Sequence, residues 1–174
     1  MHLSMTTEET PTLAEKTKHY RIPVYRVALV RERSLSQLQR PQIRGSYDAA
    51  QVLAAYLADA DREHLVVLML NPKHRLIGIN TVSVGCLTTS LAHPRELFKP
   101  AIVANAAAVI VGHNHPSDDP ALSAQDTSLS HRLHAAGELL GIRLLDHVII
   151  GEADRWYSFQ DAGVLPRDTH ASLF

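Results

Sequence analysis

The chain has 174 residues, 45% of them hydrophobic, a formal net charge of −1 and a single cysteine. This length and composition suggest one domain with a sizeable core. The sequence contains no apolar run of the ~18 residues that a membrane span needs, and its polar start does not resemble a signal peptide. One cysteine excludes an internal disulfide and suits a reducing compartment, so we expect a cytoplasmic protein without membrane contact.

The first 45 residues differ from the rest of the chain in charge and in pattern. Residues 1–20 are polar and have little to bury, which predicts a disordered arm. Residues 21–45 form a basic segment, in which residues 22–30 are predicted as an edge strand and residues 34–45 as a loop. Eight basic residues lie between positions 16 and 44, against one acidic residue: Lys16, Lys18, Arg21, Arg26, Arg31, Arg33, Arg40 and Arg44.

This basic stretch carries a net charge of +7, so the remainder of the chain carries −8. Such a stretch could bind the phosphates of a nucleic acid, could hold the acidic body of the chain, or could be an ordinary solvated surface. The sequence leaves these three interpretations open. The first predicts DNA binding that weakens steeply with salt and disappears when the arginines are neutralised.

From residue 46 onward the hydrophobic pattern alternates between helical and extended periods. Helices are predicted over residues 46–59, 94–105 and 123–140. Strands are predicted over residues 64–70, 75–84, 107–112, 143–150 and 156–159. Ser46 or Asp48 is the predicted N-cap of the first helix, and Gly141 is predicted to end the third. The alternation predicts an α/β fold, a single layered domain with a mixed β-sheet flanked by helices.

The strand predicted over residues 107–112 leads into a sequence that is suited to binding a metal ion. His113 and His115 lie two apart, and in an extended chain the side chains at such positions leave on the same face. Asp126 follows eleven residues later, after a turn rich in proline and aspartate. Two imidazoles and a carboxylate are ligands that catalytic zinc takes when it keeps a fourth position for water.

Two simpler explanations compete with metal binding. A pair of histidines two apart is a weak signal in a chain that holds eleven histidines. Ser123 and Asp126 also form an S-x-x-D capping box, which needs no chemistry. Asp126 is, however, in register with the apolar face of its helix, which includes Leu129 and Leu133, and is predicted to point inward. An inward carboxylate needs a partner, which favours the metal.

The run from His113 to Asp126 resembles the motif of the JAB/MPN (JAMM) metalloenzymes, specifically of their RadC-like bacterial branch. The resemblance extends over residues 46–164 and includes segments on both sides of the motif: Asp61-Arg62-Glu63, Val84-Gly85-Cys86-Leu87, His93-Pro94-Arg95-Glu96-Leu97-Phe98 and Asp146-His147-Val148-Ile149-Ile150-Gly151. It implies a JAB/MPN-like domain over residues 46–166, followed by a tail of residues 167–174. RadC-like proteins of full length also carry an N-terminal helix-hairpin-helix module, which we do not expect in the residues that precede the match.

The resemblance also implies what individual residues do. Zn²⁺ would be held by His113, His115 and Asp126. Glu63 would act as the general base and then as the acid, and Ser123 would support the oxyanion. The residues themselves leave alternatives open, because Glu63 also fits a solvated acidic turn and Ser123 also fits an N-cap without a catalytic role.

The remaining polar residues near the motif are harder to assign. Asp146 and His147 either form a link that orients a metal ligand or form a hydrogen-bonded pair in the core. His131 and His134 lie about 80–140° around the third helix from Asp126, so we expect them on the surface.

The loop after the histidines departs from the RadC-like pattern, with Asp118 in place of a glycine and Leu122 in place of a second proline. The ligand positions are retained, so the departure concerns the conformation of the loop. Asp118 and Asp119 beside the metal would repel anionic substrates such as phosphodiesters, which favours an amide substrate.

These observations predict a zinc-dependent hydrolase that cuts a peptide or isopeptide amide in a polypeptide substrate. The peptidase assignment follows from the resemblance, as does the family's connection with DNA repair. The alternative is a nucleic-acid-associated protein, a DNA repair or mobile-element accessory that binds through residues 16–44. A third interpretation, a non-catalytic interaction module, is disfavoured by the complete set of ligands.

Overall fold

The computed structural model describes residues 25–32, 41–85, 93–115, 120–151 and 155–166. The predicted arm of residues 1–20, most of the predicted loop over residues 34–45, Asp118, Asp119 and the predicted tail of residues 167–174 lie outside these ranges. Five of the basic N-terminal residues also lie outside them: Lys16, Lys18, Arg21, Arg33 and Arg40.

The described ranges contain three helices and five strands. The helices are α1 (Ser46–Leu57), α2 (Pro94–Val103) and α3 (Ala124–Leu140). The strands are β1 (His64–Leu70), β2 (Leu76–Val84), β3 (Ala108–Asn114), β4 (Arg143–Ile150) and β5 (Trp156–Ser158). Each matches a predicted element to within two residues at either end. None of the helices in the described ranges combines the length and hydropathy that a membrane span requires.

The strands form one mixed sheet in the order β2-β1-β3-β4-β5. β3 and β4 are parallel and the other neighbours are antiparallel. A parallel pair needs a crossover connection, which α3 supplies. One face of the sheet packs against α2 and α3 through Leu97, Phe98 and Leu133, and the other face packs against α1 through Leu53. The predicted α/β layered domain is therefore confirmed.

The first helix begins differently from the prediction. Its N-cap is Gly45, which offers no side-chain cap, so the prediction of Ser46 or Asp48 as N-cap is wrong. The Ser46 hydroxyl instead donates a hydrogen bond to Asp161 Oδ2 at 2.5 Å. Asp48 Oδ2 accepts a hydrogen bond from the Arg44 backbone N–H at 2.8 Å, so this carboxylate stabilises the turn from within the helix.

Residues 25–32 do not form a strand, so the predicted edge strand over residues 22–30 is wrong in the part that the structure describes. Their side chains are exposed, Tyr25 to 83% and Val30 to 84%. The β-branched composition favours an extended backbone, but a strand also needs a neighbouring strand to pair with, and composition does not supply one. The chain joins the domain at Gln42, which forms an isolated bridge with Arg75, and at the buried Ile43.

Helix α1 lies directly on β3 at the position just before the first histidine of the motif. A Cβ atom at Gly112 would lie 2.4 Å from Leu53 Cδ1, and Leu53 is completely buried. Any larger residue at Gly112 would therefore force the buried Leu53 side chain out of its present position. This close contact fixes the end of β3, from which the candidate site is built.

Candidate metal centre

The candidate site forms where β3 ends beside the first turn of α3. His113 is the last residue but one of β3, His115 follows the strand, and Asp126 lies in the first turn of α3. The antiparallel register of β1 and β3 places Leu65 opposite His113. Continued by two residues, this register brings Glu63 opposite His115. Residues far apart in sequence therefore converge on one point.

The distances between the side chains describe one tight cluster. The Nε2 atoms of His113 and His115 are 2.9 Å apart. Asp126 Oδ1 lies 3.3 Å from His113 Nε2, and Asp126 Oδ2 lies 3.6 Å from His115 Nε2. Glu63, His113 and His115 also form a group whose ligand atoms all lie within 4.8 Å of one another. Both carboxylates therefore approach the same pair of imidazoles.

This geometry fits a tetrahedral metal ion. With bonds of about 2.0–2.1 Å to nitrogen or oxygen, such an ion places its ligand atoms about 3.3–3.4 Å apart. The separations among His113, His115 and Asp126 lie close to this value. Two sets of three ligands are therefore available, which share His113 and His115. The third ligand is Asp126 in one set and Glu63 in the other. Asp126 is 4% exposed, whereas Glu63 is only half-buried and therefore more accessible to a substrate.

Ser123 holds the Asp126 carboxylate in place at the start of α3. Its backbone N–H and its hydroxyl donate to Asp126 Oδ2 at 2.8 and 2.6 Å, and the Asp126 backbone N–H approaches Ser123 Oγ at 3.1 Å. These contacts are the capping box that the sequence offers. Ser123 is therefore the N-cap, and its hydroxyl also lies beside the cluster.

A chain of hydrogen bonds sets the tautomer of His113. Ser130 Oγ donates to the Asp126 carbonyl at 2.8 Å, and so accepts from His147 Nδ1 at 2.5 Å. His147 Nε2 is then the acceptor for the His113 Nδ1–H at 2.9 Å. This leaves His113 Nε2 without a hydrogen, with its lone pair directed toward His115 and Asp126. A neutral imidazole with a bare Nε2 is the form that binds a metal.

Burial keeps both of these imidazoles neutral. Desolvation lowers the pKa of His113 to about 4, with Asp126 opposing this shift and His115 adding to it. Desolvation also lowers the pKa of His147 well below its ordinary value, and the nearby His113 and His115 lower it further. At pH 7 His113 and His147 are therefore uncharged, as the hydrogen-bond chain requires.

Asp146 and His147 have different partners, and the link to a candidate ligand that one interpretation expects is made by His147 alone. The two side chains leave β4 on opposite faces, as neighbours in a strand do. His147 contacts His113, whereas the Asp146 carboxylate accepts hydrogen bonds from Ser158 Oγ at 2.7 Å and from the Gln160 backbone N–H at 3.0 Å. Burial raises the pKa of Asp146. In the described residues, only His147 of the two lies against a candidate ligand.

Helix α3 also buries a row of polar and small residues that begins at Asp126. Asp126, Ser130, His134 and Gly137 are all buried and succeed one another at helical spacing. The expectation that His134 lies on the surface is therefore wrong: it is 8% exposed, while His131 is exposed as predicted. A Cβ at Gly137 would lie 2.6 Å from the Ile142 carbonyl oxygen, so the helix approaches β4 closely here. The spacing from Asp126 was the signal that could have revealed Ser130.

Two cavities lie near these residues. A cleft of about 410 Å³ opens beside His115 and is lined also by Arg62, Asn114 and Ile150. A larger cavity, of about 730 Å³, is lined by His134, Asp146 and neighbouring residues but by no member of the cluster. Of the two, only the smaller cleft includes a residue of the cluster, His115, in its lining, and it lies along α1 and Asn114.

Replacing His147 by phenylalanine is expected to weaken zinc binding by about 10–100-fold, because the partner that orients His113 is lost. Phenylalanine preserves the stacking of residue 147 on Phe159, whose ring centroid lies 4.7 Å away. Competition with a chromogenic chelator measures the affinity. Asp146→Asn is the matched control, one residue away on the opposite face, and should bind zinc as the wild type does. Equal zinc affinities in the wild type and in His147→Phe would contradict the role of His147 in orienting His113.

Comparison with known proteins agrees with this architecture. Residues 43–164 match the RadC-like JAB domain. A UPF0758 protein of Desulfitobacterium hafniense is 45% identical over 132 residues, which are 76% of this chain and 58% of the relative. A UPF0758 protein of Rubrobacter xylanophilus is 46% identical over 126 residues, 72% of this chain and 55% of the relative.

The chain thus spans somewhat more than half the length of these relatives. The match covers the whole sheet, all three helices and every residue of the candidate metal centre. The resemblance to the RadC-like branch of the JAB/MPN proteins is confirmed, and the chain belongs to the RadC-like JAB domain family.

Proposed function

We propose that this protein is a zinc-dependent hydrolase that cleaves a peptide or isopeptide amide bond in a polypeptide substrate. The convergence of His113, His115, Asp126 and Glu63 on one point at the end of β3 is the observation that carries this proposal. Membership of the JAB domain family supports it, because JAB domains are often metal-dependent hydrolases.

In this proposal the metal is held by His113, His115 and Asp126. Two imidazoles and one carboxylate are a donor set that suits zinc and leaves a position open. When bound, zinc would lower the pKa of a coordinated water toward ~7 and polarise the carbonyl group under attack. Asp126 suits a ligand position because it is buried and anchored by Ser123.

Glu63 and Ser123 would handle the proton and the developing charge. Glu63 is half-buried opposite His115, so its carboxylate can take a proton from the attacking water and return it to the leaving nitrogen. Ser123 Oγ lies beside the cluster, and rotation about its Cβ–Oγ bond would turn its hydrogen from Asp126 toward an oxyanion.

The charges around the site favour an amide over a phosphodiester. Glu63 and Asp126 both lie at the cluster. Arg62 is engaged by Asp61 through two hydrogen bonds, at 2.9 and 2.7 Å. These carboxylates would repel an anionic substrate, whereas they would not repel a neutral amide.

Zinc-dependent cleavage of a peptide library tests the proposal. Purified protein is stripped with a chelator, reloaded with zinc and incubated with peptides from a host digest, and new termini are identified by mass spectrometry. We expect new termini from the reloaded wild type and none from the stripped protein or from His113→Ala, which lacks a ligand. Cleavage that persists without zinc, or no cleavage by the reloaded wild type, would contradict the proposal.

A further inference from the structure

Asn114, between the two histidines of the motif, is bonded to the segment that carries Glu63. Its Oδ1 accepts a hydrogen bond from the His64 backbone N–H at 2.9 Å, and its Nδ2 donates to the Arg62 carbonyl at 2.9 Å. The carboxamide therefore bonds to the peptide groups on both sides of Glu63. We propose that Asn114 is a positioning residue that holds the Glu63 carboxylate at the metal centre.

These two bonds continue the sheet beyond the point where its backbone pairing ends. The ladder between β1 and β3 finishes with Leu65 opposite His113. The next residues of the two chains would be His64 and Asn114, and here the Asn114 side chain replaces the strand backbone. A carboxamide carries one carbonyl and one N–H group in a plane, so it can pair with a peptide as a strand does.

The Glu63 peptide is also held from its other side. The Gly85 backbone N–H donates to the Glu63 carbonyl at 2.8 Å, just beyond the pairing of β1 with β2. Backbone groups of three consecutive residues, 62 to 64, are thus bonded to neighbours on both flanks. A fixed backbone restricts the positions that the Glu63 carboxylate can occupy. A general base requires such a defined position.

The side chain at position 114 leaves the strand on the face opposite to His113 and His115. Asn114 is therefore placed to act on Glu63 and not as a third ligand beside the histidines. Asparagine suits this position because an aspartate could not donate to the Arg62 carbonyl and a leucine of similar shape could make neither bond. The inference rests on the proposed function only in giving Glu63 the task of a base.

The test compares Asn114→Leu with Asn71→Leu as a matched control. Asn71 Oδ1 accepts from the backbone N–H groups of Lys73 and Arg75 in the turn between β1 and β2, remote from the cluster. Both substitutions therefore remove two bonds from a side chain to the backbone. Hydrogen exchange of the zinc-free proteins, crystal structures, zinc affinity and the rate of amide cleavage are measured for each.

In Asn114→Leu we expect the His64 amide to exchange at least about tenfold faster than in the wild type. The Glu63 carboxylate should move out of its 4.8 Å neighbourhood with the two histidines, while the zinc dissociation constant stays within about threefold. Cleavage should slow by about 10–100-fold, with no further loss when Asn114→Leu is added to Glu63→Gln. Asn71→Leu should leave all four measurements at the cluster unchanged.

Three results would overturn the proposal. The first is a Glu63 carboxylate that keeps its position in the crystal structure of Asn114→Leu. The second is a loss of zinc affinity in parallel with activity, since Asn114 would then act through His113 and His115. The third is an additive loss in the double variant. A wild type that cleaves nothing would refute the hydrolase function. Hydrogen exchange and crystallography need no substrate, so they would still decide whether Asn114 positions Glu63.

Discussion

We expect the zinc-loaded Glu63→Gln variant to cleave amide bonds about 10²–10⁴ times more slowly than the wild type, the usual consequence of removing a general base. Glutamine has nearly the shape of glutamate but cannot accept the proton from the attacking water. Steady-state kinetics on a cleaved peptide, with the zinc content of each preparation measured in parallel, gives the comparison. The loss should appear in kcat, because the base acts in the transition state.

Glu96→Gln serves as the control for this variant. Glu96 lies at the start of α2, where it accepts hydrogen bonds from Arg95 and Lys99 at the protein surface. Its replacement should leave the rate of cleavage unchanged. A Glu63→Gln variant with full zinc content and the wild-type kcat would show that another group accepts the proton. A variant that loses its zinc would instead show that Glu63 is a ligand.

The metal-free protein is expected to lose about 3 kcal/mol of unfolding free energy between pH 7 and pH 4 through His113 alone. In the unfolded chain this imidazole takes up a proton near its ordinary pKa of 6.5, whereas burial in the fold lowers its pKa to about 4. The unfolded state therefore binds more protons in this interval, so stability falls as the pH falls. The contribution of His113 to the unfolding free energy is fully present above about pH 6.5.

His147 adds to this dependence in the same direction, because burial lowers its pKa as well. Denaturant unfolding at several pH values, in the presence of a chelator, measures the effect. His113→Leu removes the group, so its unfolding free energy should change less steeply with pH than that of the wild type. Identical slopes for the two proteins between pH 7 and pH 4 would rule out the buried, neutral His113 that the hydrogen-bond chain requires.

The two hydrogen-bond arrangements around the site serve different parts of it. Ser130 and His147 set the tautomer of His113 from inside the domain. Asn114 holds the backbone around Glu63 from the strand between the ligands. The proposed variants therefore divide into two groups. His147→Phe should lose zinc affinity, whereas Asn114→Leu and Glu63→Gln should lose rate and retain zinc affinity.

Local sequence was sufficient for most of the fold. The elements from α1 to β5 follow from hydrophobic period, proline at the start of α2 and glycine at the end of α3, because these signals act within a few residues. The prediction over residues 22–30 was wrong in its described part because a strand depends on a partner strand and not on its own composition. Of the buried row of α3, only Asp126 was predicted to point inward; Ser130, His134 and Gly137 were missed because they are polar or lack a side chain.

The sequence by itself indicated the candidate metal ligands, through the spacing of His113 and His115 and the inward phase of Asp126 in its helix. Only the tertiary structure decided which other residues contact these candidate ligands. Pairing of β1 with β3 brings Glu63 and Asn114 together. The bulged register of β4 directs His147 toward the candidate metal centre and Asp146 away from it. Such contacts join residues up to 52 positions apart, and no local pattern encodes a partner at that distance.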